Sequence, residues 1–402
     1  MKILFILPRF PYPLEKGDKL RAYHQIKTLS VDNEVYLFAI SHNRVEKAHI
    51  DELRKYCRDI SVARVSKLFG AFRVLRNLFT VRSLQIGYWD SNKARKQYRS
   101  FESQVNPDVI YAQMVRTIKY AAHSSKPKVL DFQDALSMNQ ERRMLNYRGP
   151  RYFFHHYEFK MLRSAEYNAC SIFDRLTVIS EIDSRAIPQR KDTVIDIVRN
   201  GVDFDYFHPM DKPKCSDVVF CGNMQYKPNI DAARYLVNDI MPLVWATHPT
   251  ARVVIAGATP TAAVRQLASK RVEVTGSVDD IRDYYAQSRV FVAPMRIGSG
   301  LQNKLLEAMS MRVPCVTTPL ANASIGAVDG THILIGDNAA KIAQSITRLL
   351  DDEVFASSMA DKAFDFVKGS FSWAASGAEL QSVLRQAIET HHADEEIELE
   401  DE

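Results

Sequence analysis

Lys304 and Glu307 are the two residues whose chemistry and spacing most strongly indicate a ligand site. They follow a buried-strand pattern and a loop with Gly298 and Gly300, and their spacing puts them on one face of a predicted helix. Glycines let backbone N–H groups come close to a ligand, and a helix start suits a pyrophosphate. Lys304 would contact phosphate oxygens and Glu307 would accept hydrogen bonds from ribose hydroxyls. The alternative is a solvated ion pair on an ordinary helix.

Short apolar runs alternate with helical patterns along both halves of the chain, which indicates parallel sheets with right-handed crossovers. The predicted strands of the first half are Ile3–Leu7, Val35–Ile40, Ser61–Ala63, Val109–Tyr111, Val129–Asp131, Leu176–Ile179 and Ile195–Val198, with helices such as Lys19–Ser30 and Tyr152–Cys170 between them. Those of the second half are Val218–Cys221, Arg252–Ala256, Val272–Thr275, Val290–Ala293, Cys315–Thr317 and His332–Ile335, with helices near 229–245, 279–287, 300–311, 338–351 and 354–367. The pattern predicts an α/β fold of two doubly wound domains, with ligands at the carboxyl ends of the strands.

Length, charge and cysteine content narrow the class of protein. The chain has 402 residues, more than the roughly 250–300 at which single cores stop growing, so two domains are expected. Its net charge of +5 suits an anionic ligand or a membrane surface but by itself gives no argument for nucleic acid. The five cysteines are scattered and form no CxxC pair, which argues against a disulfide framework or a structural zinc site. A reducing compartment, the cytosol, is therefore expected. The first apolar run ends at Pro8, too early for a signal peptide, and no later run predicts a transmembrane helix.

Turn residues place the domain junction near Asn200–Pro209. The predicted organisation is a first domain at 1–200, a linker at 201–216, a second domain at 217–370, a helix at 371–390 that packs back toward the first domain, and an acidic, disordered tail at 391–402.

Four motifs of the chain are Val198-Arg-Asn-Gly-Val-Asp, Phe220-Cys-Gly-Asn, Gly298-Ser-Gly-Leu-Gln-Asn-Lys followed by Leu-Leu-Glu-Ala-Met, and Phe371-Ser-Trp. Taken together, they resemble the motifs of retaining GT-B glycosyltransferases of family 4, of the type that accompanies bacterial exopolysaccharide systems. The resemblance implies two Rossmann-like domains facing a cleft. It also implies a UDP-, GDP- or dTDP-linked sugar donor, no cofactor, no bound metal, and transfer with retention of configuration.

The resemblance places the donor site in the second domain. It implies that Glu307 holds the ribose and that Lys304 and Lys227 hold the diphosphate, with Lys304 stabilising this leaving group during catalysis. The other implied donor contacts are Gly222, Asn223, Ser277, Val278, Gly298, Ser299, Gly300 and Leu301. Ser299 stands where the family usually has a second Glu, near the sugar that is transferred, so this departure bears on which donor sugar is bound. Asn223 stands where the family usually has an Arg that binds the diphosphate. The alternative for Lys227 is a solvated loop lysine. The alternative for the loop with Ser277 and Val278 is that Asp279 or Asp280 caps the next helix.

The resemblance places the acceptor in the first domain, with implied contacts from Gly17, Asp18, Arg21, Asp134 and Ser137. Gly17 starts a predicted helix whose N-terminus points into the cleft, and Arg21 lies one turn later. Asp134 and Ser137 lie at the carboxyl end of a predicted strand. Asp134 is the candidate base and Gly17 the other catalytic candidate of this domain. The alternative for both Asp18 and Asp134 is a helix cap.

Two further segments have a membrane or metal interpretation. Residues 64–82 carry five basic residues, no acidic residue and apolar side chains at helical spacing, so they predict either peripheral contact with an anionic membrane or a core-facing helix with a basic face.

Asp203 and Asp205 resemble the metal-binding Asp-x-Asp of the other large transferase fold, but they lie in the interdomain turn. No metal site is predicted.

Together with the resemblance, the sequence therefore predicts a metal-independent glycosyltransferase that transfers sugar to a glycan or a lipid-linked glycan, in the cytoplasm or at the inner face of its membrane. Retention of configuration, and a setting in exopolysaccharide or lipopolysaccharide assembly, are implied by the resemblance. Two alternatives stay open: a sugar-nucleotide epimerase or hydrolase on the same fold, and a catalytically inactive partner subunit.

Overall fold

The computed structural model describes residues 1–14, 16–66, 74, 83–144, 147–191, 193–297 and 301–400, and only the backbone of 394–400. The chain forms two compact units. The first comprises Met1–Asn200 with Ser376–Glu402, and the second comprises Gly201–Ala375. The predicted linker at 201–216 thus lies inside the second unit, where the Val202 amide donates to the Phe371 carbonyl at 2.6 Å.

In the described part of the first unit, seven parallel strands form a sheet in the order β3-β2-β1-β4-β5-β6-β7. The strands are β1 Lys2–Leu7, β2 Glu34–Ser41, β3 Cys57–Arg64, β4 Val109–Gln113, β5 Lys128–Gln133, β6 Arg175–Val178 and β7 Ile195–Ile197. The helices are α1 Gly17–Leu29, α2 Lys47–Leu53, α3 Leu84–Trp89, α4 Asn92–Val105, a 3₁₀ turn Val115–Thr117, α5 Ile118–Ala121, α6 Leu136–Met144, α7 Pro150–Ala169 and α8 Glu181–Ala186.

The second unit repeats this order with a six-stranded parallel sheet, β10-β9-β8-β11-β12-β13, among its described residues. The strands are β8 Ser216–Cys221, β9 Val253–Ala256, β10 Val272–Gly276, β11 Ser288–Ala293, β12 Cys315–Thr317 and β13 Leu334–Ile335. The helices are α9 Lys227–Tyr235, a π-helix Leu236–Ile240, α10 Met241–Trp245, α11 Ala262–Arg265, α12 Ile281–Ala286, α13 Asn303–Ser310, α14 Pro319–Asn322, α15 Ala339–Asp351 and α16 Glu353–Ser370. A last helix, α17 Trp373–Glu400, begins here and continues into the first unit.

The central strands are apolar throughout because helices cover both faces of each sheet. On β1 the residues from Ile3 to Leu7 are fully buried, and Ile3 pairs with Val35 on one side and Val109 on the other. Every strand predicted from the apolar runs is present, and the α/β fold of two doubly wound domains is confirmed.

The C-terminal helix α17 packs into the core of the first unit through Leu380, Val383, Leu384 and Ala387, whose spacing puts them on one face. Close packing requires Gly377, because a Cβ there would lie 2.3 Å from Cγ2 of Thr28. The predicted disordered tail is corrected, since the helix continues to residue 400. The acidic composition of 391–402 indicated a solvated segment, but acidic residues are also compatible with an extended helix.

Candidate donor site in the second unit

A cleft of about 560 Å³ lies at the carboxyl ends of β8, β9, β10 and β11, where doubly wound sheets bind ligands. It is lined by Cys221, Gly222, Asn223, Tyr226, Pro228, Asn229, Gly257, Ala258, Ser277, Val278, Ile281, Tyr285, Met295, Leu301, Gln302, Asn303, Lys304 and Glu307. Another cavity, of about 670 Å³, lies at the amino ends of β8, β9 and β10. We take the first as the candidate site because its position and its polar side chains fit a ligand.

Two glycines bring the loops after β8 and β9 together beneath this cleft. Gly257 has φ +139°, and a Cβ there would lie 1.9 Å from the Gly222 carbonyl oxygen. A Cβ on Gly222 would lie 2.7 Å from Nδ2 of Asn229. The close approach therefore needs residues without side chains and leaves the Gly222 backbone at the cleft wall.

Lys304 reaches into the cleft from α13. Its Nζ donates to Oδ1 of Asn229 at 2.6 Å and lies 5.0 Å from the ring centroid of Phe220. The Asn229 side chain is held in turn, because its Nδ2 donates to the Asn223 carbonyl at 2.9 Å. Burial lowers the pKa of Lys304 to about 8, although the charge of Glu307 opposes the shift. The site thus holds a preoriented ammonium group that an anion would stabilise.

Glu307 lies one turn after Lys304 on the same helix face. Its Oε2 accepts a hydrogen bond of 2.9 Å from the hydroxyl of Tyr285, which is fully buried on α12. Burial raises the pKa of Glu307, against the lowering effects of the Tyr285 hydrogen bond and the Lys304 charge. Because each side chain has its own partner, Lys304 and Glu307 do not form the solvated surface pair that was the alternative interpretation.

The other predicted donor residues lie in several environments. Asn223, Gly222, Ser277, Val278 and Leu301 line the cleft. Lys227 is exposed at the start of α9 and is not part of the lining. Residues 298–300, which include Gly298, Ser299 and Gly300, lie outside the described residues. The cap at α12 is Asp280, whose carboxylate accepts from the Arg282 amide at 2.9 Å.

Sequence reasoning missed Asn229 and Tyr285, the partners of the two central side chains. Asn229 lies in the Lys-Pro-Asn run that starts α9, and Tyr285 lies in a helix that the sequence predicted. Their residue types are ordinary for helices, so no local signal marks them as site residues.

In the first unit, Gly17 begins α1 with open space around it, because a Cβ there would meet no heavy atom within 4 Å. Asp18 lies in the first turn and accepts a 2.5 Å hydrogen bond from Arg9. The N-cap position is Lys16, so the cap interpretation of Asp18 is corrected.

Arg21 is fully buried in the first unit. Its Nε donates to Oδ2 of Asp131 at 2.7 Å and its Nη1 to Oδ1 of Asn200 at 2.8 Å. These bonds favour a structural role, and its contact with an acceptor stays a prediction.

Asp134 follows the end of β5, where Gln133 has φ +63°, and Ser137 lies in the first turn of α6. The amides at the start of α6 bind other carboxylates: Ala135 N donates to Asp183 at 3.0 Å and Ser137 N to Glu166 at 2.9 Å. The cap interpretation of Asp134 is therefore corrected. Burial, and then the charges of Asp183 and Asp131, raise the pKa of Asp134 to about 6. A carboxyl with this pKa can exchange protons near neutral pH.

No described helix is both long and apolar enough to cross a membrane. In the same parts of the chain, no group of three or more His, Cys, Asp or Glu side chains is arranged to hold a metal ion.

Comparison with known proteins agrees with the fold. Residues 215–352, most of the second unit, match the family described as "Glycosyl transferases group 1". Anabaena HepE, solved in complex with UDP, superposes with a TM-score of 0.67 at 14% identity over 96% of this chain and 100% of its own. The fold is therefore that of GT-B glycosyltransferases, and residues 215–352 of the second unit resemble the group 1 glycosyl transferases.

Two sequence relatives extend the comparison. A Klebsiella pneumoniae protein, described as an uncharacterized 44.6 kDa protein in the cps region, is 21% identical over 92% of this chain and 96% of its own length. TuaC of Bacillus subtilis, described as "Putative teichuronic acid biosynthesis glycosyltransferase", is 30% identical over 24% of this chain and 26% of its own length.

Proposed function

We propose that the protein transfers a sugar from a nucleotide sugar to a glycan or lipid-linked glycan in bacterial polysaccharide assembly, with retention of configuration. The observation that carries the proposal is the placement of the Lys304 ammonium and the Glu307 carboxylate in one cleft at the strand ends. The ammonium suits a diphosphate and the carboxylate suits the two hydroxyls of a ribose. The names of the relatives, and the UDP and UDP-glucose complexes of HepE, support the substrate class.

In the proposed mechanism, Lys304 neutralises the charge that develops on the leaving diphosphate, together with backbone N–H groups at the start of α13. Asn229 orients the ammonium, so that little reorganisation is needed during the reaction. Asp134 is proposed as the base of the acceptor-binding first unit. Because these groups supply the positive charge, we propose that transfer requires no metal ion or cofactor. Retention of configuration is proposed on the family resemblance.

The test is a thermal-shift panel of UDP-, GDP-, dTDP- and ADP-sugars with EDTA present, because a ligand that binds the folded state raises its apparent stability. We expect one nucleotide to shift the unfolding temperature and Lys304→Ala to reduce that shift. Incubating the binding sugar nucleotide with acceptor glycans and assigning the anomeric configuration of the product by NMR then tests transfer and retention. Binding without transfer would favour the inactive partner subunit, conversion of the free donor would favour the epimerase or hydrolase, and no binding at millimolar concentration would refute the proposal.

The lowered pKa of Lys304 gives the proposed site a pH dependence. The protonated amine binds a diphosphate, and in the free protein it loses its proton as pH rises through about 8. We therefore expect UDP to bind about tenfold more weakly at pH 9 than at pH 7. Calorimetric titrations at both pH values measure this change. Lys304→Arg, which stays protonated, is the control and should show little pH dependence. A constant affinity for the wild type would contradict the assignment.

We also propose peripheral contact with an anionic membrane, at the cytoplasmic face. Most of the predicted segment 64–82 lies outside the described residues. Support comes from α7, where Phe153 is 70% exposed and Phe154 51% exposed, with Arg151 and Lys160 exposed on the same helix. Co-sedimentation with phosphatidylglycerol vesicles should exceed that with phosphatidylcholine vesicles and should fall in Phe153→Ser/Phe154→Ser. Equal sedimentation with both lipids would contradict an electrostatic contact.

A further inference from the structure

Arg116 is a half-buried arginine of the first unit whose guanidinium forms no ion pair with a described carboxylate. It lies in the 3₁₀ turn after β4. Its Nη2 donates to Oε1 of Gln85 at 2.9 Å, and its Nη1 lies 3.9 Å from the sulfur of Met114, a weak acceptor. Its Nε is buried without a hydrogen-bond partner in the part of the chain that the structure describes. Such unmet donors are uncommon in folded proteins and indicate an absent ligand or a strained site.

The carboxylates near Arg116 are engaged elsewhere. Asp18 binds Arg9. Glu158 accepts from the Ser83 hydroxyl at 2.8 Å and from the Leu84 and Gln85 amides at 2.8 and 3.1 Å. Among the described residues, no carboxylate lies within 4 Å of the Arg116 guanidinium nitrogens in an ion pair. The charge of Arg116 is therefore only partly compensated.

Arg9 lies in the same neighbourhood, as two chains of contacts show. Its guanidinium carbon is 5.8 Å from the ring centroid of Trp89, on the helix that also carries Gln85. Its partner Asp18 accepts, through the backbone carbonyl, a 3.1 Å hydrogen bond from Gln113, which adjoins the Met114 turn. Arg9 and Arg116 are thus linked to the same helix, through Trp89 and Gln85, near the end of β4.

The electrostatic effects agree with this geometry. Burial, and then the charge of Arg9, lower the pKa of Arg116 to about 10, with a further contribution from Arg143 on α6, while Asp18 and Glu158 oppose the shift. The repulsion between these positive charges in a partly buried site costs free energy, and a bound anion would offset that cost.

We propose that Arg116, together with Arg9, binds an anionic group of the acceptor, either a phosphate ester or a sugar carboxylate. The fork of a guanidinium matches both groups, and an anionic oxygen would replace the weak contact with the Met114 sulfur. The acceptor assignment rests on the proposed glycosyltransferase function, whereas the anion site is a property of the first unit itself. It predicts that neutral glycans are poorer ligands than phosphorylated or acidic ones.

The test is calorimetric titration of inorganic phosphate, sodium glucuronate and neutral methyl glucoside at constant ionic strength. The Lys304→Ala variant is used as background, so that phosphate does not report the cleft of the second unit. We expect one of the two anions to bind, the methyl glucoside not to bind, and Arg116→Gln to weaken the anion about tenfold or more. The anion that binds distinguishes a phosphate from a carboxylate source. Arg185→Gln is the matched control, because Arg185 is exposed in the same unit with 82% of its side chain accessible.

Folding is controlled in two ways. Without ligand, Arg116→Gln should unfold at a temperature no lower than its Lys304→Ala parent, since it removes a charge that is only partly compensated, whereas loss of a structural arginine would make the variant less stable. Arg9→Gln, a change at a side chain that is 30% exposed, should also weaken binding of the anion. Full anion affinity in Arg116→Gln, or no binding of either anion to the parent protein, would overturn the proposal. A failure of UDP to bind the wild type would count against the glycosyltransferase function. The result of the anion titrations could still be interpreted, because the anion site lies in the first unit.

Discussion

Asp131→Ala is expected to destabilise the first unit by about 3–5 kcal/mol, because it leaves the charge of a buried arginine uncompensated. The carboxylate of Asp131 accepts from Nε of Arg21 at 2.7 Å, from the Tyr111 hydroxyl at 2.5 Å and from the Thr177 hydroxyl at 3.0 Å. Arg21, Asp131, Tyr111 and Thr177 are all fully buried. Loss of the carboxylate therefore removes the acceptor for several donors that water cannot reach.

Urea denaturation followed by near-ultraviolet circular dichroism measures this effect. Since the chain has two compact units, separate transitions are possible, and added UDP would identify the transition of the second unit. We expect Asp131→Ala to lower the stability measured in the transition of the first unit alone. Arg21→Met combined with Asp131→Leu should recover part of the stability, because it removes both charges but not the buried hydroxyls of Tyr111 and Thr177. Asp51→Ala, at an exposed ion pair, is the control and should change stability by about 0.5 kcal/mol or less. An Asp131→Ala loss as small as that of the control would refute the structural role.

Glu307→Ala is expected to weaken UDP binding roughly 100-fold, because two hydrogen bonds from ribose hydroxyls to a carboxylate are lost. Tyr285 holds that carboxylate in place, so Tyr285→Phe should weaken UDP by a smaller factor. Calorimetric titration with UDP measures both. Glu273→Ala is the matched control, since Glu273 is exposed in the same unit and does not line the cleft.

A comparison of UDP with 2′-deoxy-UDP makes this assignment specific. The wild type should prefer UDP, and Glu307→Ala should bind the two ligands almost equally, because the variant lacks the group that reads the 2′-hydroxyl. An undiminished preference for UDP in the variant would show that Glu307 does not hold the ribose. Equal affinity of wild type and variant for UDP would favour the interpretation as an inactive partner subunit.

The sequence predicted the elements of the fold better than the contacts of the site. It located the strands because buried parallel strands are continuous apolar runs between turn residues. It also put Lys304 and Glu307 together, since helical periodicity alone makes residues three apart neighbours. The partners Asn229 and Tyr285 lie 75 and 22 residues away from them in the chain, and only the packing of α9 and α12 brings them into the cleft.

In the first unit, tertiary structure changed the interpretation of several polar residues. Arg21 resembled a ligand-binding arginine one turn into a helix, yet it is enclosed with Asp131, 110 residues later in the chain. The carboxylates that bind the start of α6 come from Asp183 and Glu166, not from neighbouring Asp134. A side chain's charge and its position in a local pattern are written in the sequence. Its burial and its partner depend on which strands and helices pack together, and that is decided only when the sheet is assembled.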